Sequence, residues 1–182
     1  MGYEKFYGEL FAPLKPLLGP IDRDTIVAII GFDMGGPLNF CTIDSANGSG
    51  CITYVSCELA VREEQQPSKF GRFELLTSCD DEKWVRSIVS DIGRMTLDAA
   101  FGHGHTMDIG SWVEPDASLQ GVVFEEVCDC QIAGEVFGVL RVIGITRAEL
   151  EYAQLHGAAS LLQSLRKAGV YPKTLVKRAS VI

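Results

Sequence analysis

An apolar stretch that leads directly into a capped helix is the feature that most constrains the fold of this chain. Residues 136–145 are mostly apolar, as is typical of a buried strand. Thr146 and Glu149 follow with the spacing of a capping box, in which the Thr hydroxyl accepts from the N3 backbone N–H and the Glu carboxylate from the N-cap N–H. We therefore predict a buried strand and, immediately after it, a helix that begins at Thr146.

The predicted helix is amphipathic and ends at a glycine. Residues that share one of its sides at helical spacing are Leu150, Ala153, Gly157, Leu161 and Leu165. Lys167 followed by Gly169 is a typical helix end. The pattern therefore predicts one helix from Thr146 to Gly169, in a strand–helix unit that contains no catalytic motif.

The rest of the chain alternates between helical and extended patterns. A helix over 3–18, shortened by Pro13 and Pro16, and a helix that begins at residues 80–82 and buries Trp84 are predicted. The predicted strands are 25–31, 39–43, 51–61, 70–78, 121–127 and 136–145, with a turn at 46–50. This order favours an α+β fold, a single compact domain over residues 1–182 with a central mixed, mostly antiparallel sheet flanked by helices. Segments 51–61 and 70–78 are expected to pair as an antiparallel hairpin.

Charge and cysteine content limit the partners and the compartment. A formal net charge of −8 argues against a nucleic-acid surface, because such a surface requires clustered Lys and Arg. The negative charge would suit a basic protein partner or would serve only to keep the protein in solution. No apolar run reaches the length of a membrane span, and the N-terminus does not resemble a signal peptide. Six cysteines without an export signal favour reduced thiols, so we expect a cytoplasmic protein.

Three stretches together resemble the suppressor-of-fused domain family, from roughly Val55 to the C-terminus. The first is Glu58-Leu59, a charged loop and the sequence FGRFEL at 70–75. The second is Trp84 at the head of the next helix, with a glycine-rich segment after it. The third is VIGIT at 142–146 with Glu149-Leu150, followed by SLLQSL at 160–165.

This resemblance implies a binding protein. The eukaryotic family member is a two-domain cytoplasmic repressor that sequesters a transcription factor, and its cleft residues align near Met95 and His105, which do not match them. Single-domain bacterial relatives resemble immunity proteins, and their length fits this chain better. The resemblance therefore implies a non-enzymatic domain without a cofactor, which neutralises a toxin by binding and occlusion.

The candidate partner-binding residues are mostly acidic. They are Asp108, Trp112, Glu114, Asp116, Glu125 and Glu126. We expect the contacts in the loops 101–119 and 128–135, because binding residues concentrate on loops. Trp112, with acidic neighbours, is either a hot spot for a basic partner or a cap on the core.

A metal site is a weaker alternative. His103, His105, Cys128 and Cys130 offer two imidazoles and two potential thiolates, which is a possible zinc ligand set. Within each pair a single residue separates the ligands, whereas structural zinc ligands are usually spaced more widely. The alternative interpretation is a glycine-rich loop beside small buried thiols.

Two further functions stay open at this stage. A small hydrolase or transferase would use a Cys–His pair, or a carboxylate pair from Glu125, Glu126, Asp129 and Glu135. Apolar strand contexts instead predict inert, buried thiols at Cys41, Cys51, Cys57 and Cys79. The other possibility is a structural module whose partner is a second copy of the chain.

Overall fold

The computed structural model describes residues 2–19, 22–44 and 50–182. Within these ranges the chain forms an eight-stranded sheet with helices packed on it. The strands are β1 (Asp22–Ile26), β2 (Phe40–Asp44), β3 (Ile52–Ser56), β4 (Arg72–Cys79), β5 (Thr106–Asp108), β6 (Gly121–Ile132), β7 (Glu135–Ile145) and β8 (Lys173–Thr174). The α-helices are α1 (Tyr3–Leu10), α2 (Lys15–Leu18), α3 (Glu82–Trp84), α4 (Ser90–Met95), α5 (Arg147–His156) and α6 (Ala158–Lys167).

The sheet is mixed and mostly antiparallel, as the sequence predicts. Its strand order is β1-β2-β3-β4-β7-β6-β5, and β8 pairs with β4 off this path. Only β4–β7 and β4–β8 are parallel among the described pairs. The β3–β4 pair is the predicted antiparallel hairpin. The α+β prediction is therefore confirmed.

Alternating side chains of β7 place helices on opposite faces of the sheet. Val139 packs in the cluster that contains α1, and Ile143 packs with α5 and α6. Leu140 and Val142 belong instead to the cluster that includes residues 85–92. Because neighbouring strand residues point to opposite faces, α1, α5 and α6 lie on one face, and the 82–95 helical segment lies on the other.

The two predicted helices at the ends of the chain are interrupted. After α1 the chain forms a 3₁₀ turn, Ala12–Leu14, and then the short α2, so the prolines do shorten the helix. The capping box of Thr146 and Glu149 is present. The predicted helix end near Gly169 is confirmed, since α6 ends at Lys167 and Gly169 adopts φ 69°. The prediction of one continuous helix is wrong, because Gly157 adopts φ 85° and ψ 149° and separates α5 from α6. Such angles are accessible almost only to glycine.

The predicted buried strand 25–31 is also wrong in its bounds and its burial. β1 ends at Ile26, and the residues that follow it leave the sheet. Ile29 is fully exposed at 102% of its reference area. The apolar side chains predict burial, but the segment passes through extended Gly31 into a 3₁₀ turn, Phe32–Met34, outside the sheet.

Other boundaries differ in smaller ways. The predicted strand 51–61 is shorter, because β3 ends at Ser56, and the predicted turn 46–50 lies mostly outside the described residues. The predicted loop 128–135 is largely wrong, since β6 continues to Ile132 and β7 begins at Glu135. Neither β5 nor β8 was predicted, because three-residue and two-residue strands carry no periodic signal.

Candidate functional site

The candidate site lies at the β5 edge of the sheet. β5 pairs antiparallel with β6 on one side and, among the described residues, has no strand on the other. Exposed strand edges present backbone N–H and C=O groups that a partner chain can bind. Residues 96–120 contain acidic residues but no Lys or Arg. We call the exposed carboxylates around β5, those of Asp108, Glu114, Asp116 and Glu151, the acidic edge.

Asp108 is already engaged within the chain. Arg147, at the start of α5, donates from Nη1 to Asp108 Oδ2 at 2.6 Å and from Nη2 to Oδ1 at 3.0 Å. This guanidinium holds the pKa of Asp108 below its ordinary value. Gly110 N–H also donates to Asp108 Oδ1 at 2.8 Å. The side chain therefore orders the end of β5 and contributes little free negative charge.

The loop after β5 is held by Gln120. Its Nε2 donates to the Pro115 carbonyl at 3.0 Å, and its Oε1 accepts from Arg147 Nε at 3.1 Å. Trp112 N–H donates to the Ile109 carbonyl at 2.8 Å, and the half-buried indole packs against the main core cluster. Trp112 therefore packs on the core from a loop, and its predicted role as a partner contact stays a prediction.

Glu114 and Asp116 are the predicted site residues that remain available. Both side chains are exposed, and neither forms an ion pair within the described residues. Ala117 N–H donates to the Glu114 carbonyl at 2.9 Å, which fixes the turn that presents them. Uncompensated carboxylates on a fixed turn can attract a basic surface.

Glu125 does not reach the surface. Its side chain is buried and accepts from Arg141 Nη1 at 2.7 Å, Arg166 Nη2 at 2.6 Å and the Tyr171 hydroxyl at 2.7 Å. The expectation of an exposed partner-binding carboxylate is therefore not met at Glu125. The residue ties α6 and the C-terminal segment to the sheet instead, because a buried carboxylate requires hydrogen-bond partners.

Glu126 is partly neutralised by a neighbouring loop. Its carboxylate lies 3.4 Å from Lys69 Nζ. Its backbone N–H donates to Nδ1 of the exposed His103 at 3.3 Å. His105 is exposed, and its carbonyl accepts from Phe124 N–H at 2.9 Å, continuing the β5–β6 pairing. The His103–His105 loop therefore extends the β5 edge.

The zinc ligand set is not assembled. In the ranges that the structure describes, no group of three or more His, Cys, Asp or Glu side chains is placed to hold a metal ion. Cys128 and Cys130 pack beside the cluster that contains α1, whereas His103 and His105 are exposed. The four candidate ligands therefore do not form one site.

Burial raises the pKa of the thiols at Cys51, Cys79, Cys128 and Cys130, which favours their protonated form. Cys41, Cys51, Cys57 and Cys79 are buried, as predicted. Burial raises the pKa of Cys79 to about 12 and that of Cys128 to about 11. Since the thiolate is the nucleophile, these environments oppose thiol catalysis.

Sequence reasoning missed one exposed apolar segment. Val27, Ile29, Ile30 and Met34 expose 66%, 102%, 55% and 82% of their areas. Val27, Ile29 and Ile30 lie in the segment 25–31 that the sequence predicts as a buried strand, and Met34 follows it. We call these four residues the apolar edge.

Sequence comparison connects the chain to one family. The family model of suppressor of fused protein (SUFU) matches residues 35–179, which is more than half of the chain. No curated protein sequence matches the chain. Among the described residues, none of the helices has the length and apolar character needed to cross a bilayer.

Solved structures share the fold. A Sufu–Fu complex crystal structure matches with a TM-score of 0.72 and 16% identity, covering 99% of this chain and 92% of that chain. Drosophila Suppressor of Fused matches with a TM-score of 0.71 and 16% identity, over 97% of this chain and 50% of that one. A structure described as a SUFU homolog from Neisseria gonorrhoeae matches with a TM-score of 0.60 and 16% identity, over 98% of both chains.

Proposed function

Because the chain belongs to the suppressor of fused family, we propose that it is a non-enzymatic domain that acts by binding another protein. The observation that carries this proposal is the family match over residues 35–179. A relative with the same fold is described in a Sufu–Fu complex, so a protein partner is recorded for that relative. The raised thiol pKa values at Cys79 and Cys128 make a cysteine-dependent enzyme the weaker candidate.

The acidic edge is the surface that best fits partner binding. Here Glu114 and Asp116 project beside an open strand edge, in a stretch that has no Lys or Arg of its own. Arg147 pairs with Asp108, so its positive charge mainly neutralises Asp108 and not Glu114 or Asp116. A partner with a basic surface would gain complementary charge from this arrangement, which speeds encounter and selects orientation.

The partner class that we propose is a basic toxin domain. The SUFU homolog from Neisseria gonorrhoeae and this chain cover 98% of each other, so the two share the fold over this length. In this mechanism the preformed acidic edge occludes the active or substrate-binding face of the toxin. Cysteines that persist as thiols, such as Cys79 and Cys128, are typical of the reducing cytoplasm, which we propose as the place of action.

Partner capture with charge variants tests this proposal. The immobilised full chain is exposed to source-cell lysate, retained proteins are identified by mass spectrometry, and the retained partner is then purified. We expect E114K/D116K to weaken binding of that partner at least tenfold at low salt and to flatten its salt dependence.

The matched control is E4K/E63K, which makes the same charge change at two exposed carboxylates outside the acidic edge. The control should bind within about twofold of the wild type, because long-range charge is screened over roughly 8–10 Å in physiological salt. Equal weakening by both variants would leave only a net-charge effect and would remove the acidic edge from the proposal.

A further inference from the structure

A second open edge lies at the other end of the sheet. β1 is the first strand in the order that ends with β5, and it pairs with β2 alone among the described residues. The apolar edge (Val27, Ile29, Ile30 and Met34) follows β1 immediately in sequence. Large, contiguous, exposed apolar groups on a soluble domain commonly mark interaction sites.

The segment that carries the apolar edge is anchored. Phe32 is buried, and the guanidinium carbons of Arg62 and Arg94 lie 4.9 and 5.3 Å from its ring centroid. Arg94 Nη2 also donates to the carbonyls of Gly35 at 2.7 Å and Gly36 at 2.6 Å. These contacts attach the turn to the helical segment on one face of the sheet.

Close backbone packing reinforces this anchoring. A Cβ atom on Gly36 would lie 1.8 Å from the Ile30 carbonyl oxygen. Only glycine therefore allows the backbone at residue 36 to approach the backbone at residue 30 this closely. Ala28 N–H donates to Asn39 Oδ1 at 2.8 Å. The apolar edge is therefore presented by a preorganised loop, which lowers the entropic cost of binding.

We propose that this edge binds an extended apolar segment of a partner protein, which adds as a further strand beside β1 and covers the apolar edge. An open strand edge offers backbone hydrogen bonds, and apolar side chains next to it offer specificity. This surface is separate from the acidic edge, because β1 and β5 are the two ends of the strand order.

The small size of the apolar edge and the charge of the chain favour a partner segment over a second copy of the chain. A stable protein–protein interface takes about 800 Å² and roughly 20–30 residues from each partner, whereas the apolar edge has four residues. A short segment matches that scale. The chain carries a formal net charge of −8, which disfavours a second copy and favours basic residues flanking the apolar segment of a partner.

The test uses a phage-displayed library of random 12-residue peptides, selected on the folded full-length chain. We expect enriched peptides to alternate apolar residues and to carry flanking Lys or Arg. Synthetic copies should bind I29D/I30D at least tenfold more weakly than the wild type, because the substitutions replace apolar contacts with charges that must be desolvated on binding. N-methylation of alternate peptide backbone nitrogens should weaken binding to the wild type similarly, since it removes strand hydrogen bonds.

Control variants separate this surface from others. L155D places the same substitution at an exposed leucine on α5 and should bind the peptides like the wild type. E114K/D116K should also bind the peptides like the wild type. A failure of the apolar-edge proposal can therefore be distinguished from a failure of the acidic-edge proposal. V27D/M34D is the second variant if circular dichroism shows that I29D/I30D is misfolded.

Three results would overturn the proposal. One is the absence of enriched peptides, and another is equal peptide binding by the wild type and both aspartate variants. The third is a dimer of the wild type in analytical ultracentrifugation that I29D/I30D dissociates, which would assign the apolar edge to a second copy.

Discussion

At the scale of single residues, Glu74 on β4 is the most unusual group. Its side chain is fully buried and accepts from the Tyr7 hydroxyl at 2.7 Å, the Ala60 N–H at 2.8 Å and the Ser56 hydroxyl. None of the ion pairs among the described residues includes it. Burial raises the pKa of Glu74 above its ordinary value, although these hydrogen bonds oppose the shift. The carboxyl therefore binds a proton more tightly in the folded chain.

This shift predicts a specific pH dependence of stability. Because the folded state holds the proton more tightly, Glu74 favours folding below its ordinary pKa of about 4.3, and this contribution is lost as the pH rises towards the raised folded value. We expect E74Q, which keeps the polar contacts without the charge, to remove a slope of up to about 1.4 kcal/mol per pH unit in that window.

Urea unfolding of both proteins across this pH range measures the effect. E63Q, at an exposed carboxyl, is the control and should retain the wild-type slope. Parallel stability curves for the wild type and E74Q would contradict the burial argument.

The inward orientation of Glu74 was not predictable from its local sequence. It lies within the family-like FGRFEL stretch, in a strand that the sequence did predict. Its environment depends on Tyr7, 67 residues earlier, and on α1. The same limit applies at the site, where Arg147 reaches Asp108 across 39 positions. Acidity was visible in the sequence, but the pairing of each carboxylate was not.

At the scale of secondary-structure elements, Glu149 joins a helix start to the C-terminal segment. It closes the capping box of α5 and also accepts from Arg178 Nη1 and Nη2, each at 2.5 Å, and from Val181 N–H at 2.9 Å. Burial alone would raise the pKa of Glu149, but the hydrogen bonds from Arg178 and from backbone N–H groups hold it below its ordinary value. Its stabilising contribution is therefore present above its ordinary pKa and is lost as the pH falls through the folded value.

Removal of Arg178 should be strongly destabilising. R178M leaves the buried Glu149 carboxylate without its cation, and such losses cost about 3–5 kcal/mol. The double variant E149Q/R178M keeps a side chain that can cap α5 and removes both charges, so we expect a smaller cost. Chemical denaturation at neutral pH measures both values. A double variant as unstable as R178M would show that the uncompensated charge is not the cause.

Elements set by local chemistry were predicted, and those set by distant contacts were not. The capping box and the β3–β4 hairpin depend on nearby residues and were correct. The break at Gly157 was missed because the apolar spacing continues through it. β1 was misplaced because its position is defined by pairing with β2, which the apolar run itself does not encode.

At the scale of the whole molecule, the described helices and strands leave two separate edges of the sheet open. Helices α1, α5 and α6 cover one face, and the 82–95 segment covers the other. β1 and β5 end the strand order, with apolar side chains beside one and carboxylates beside the other. This division allows one partner to be held by charge at β5 and an extended segment to be bound at β1.

The central claim is that a protein partner binds at the acidic edge. Hydrogen exchange of the chain with and without its purified partner tests this claim most directly. We predict slower amide exchange in peptides from residues 101–120, which contain β5, Glu114 and Asp116. The acidic side chains would then be both required for affinity and located under the partner. Unchanged exchange over 101–120 in a saturated complex would contradict the claim and place the partner elsewhere.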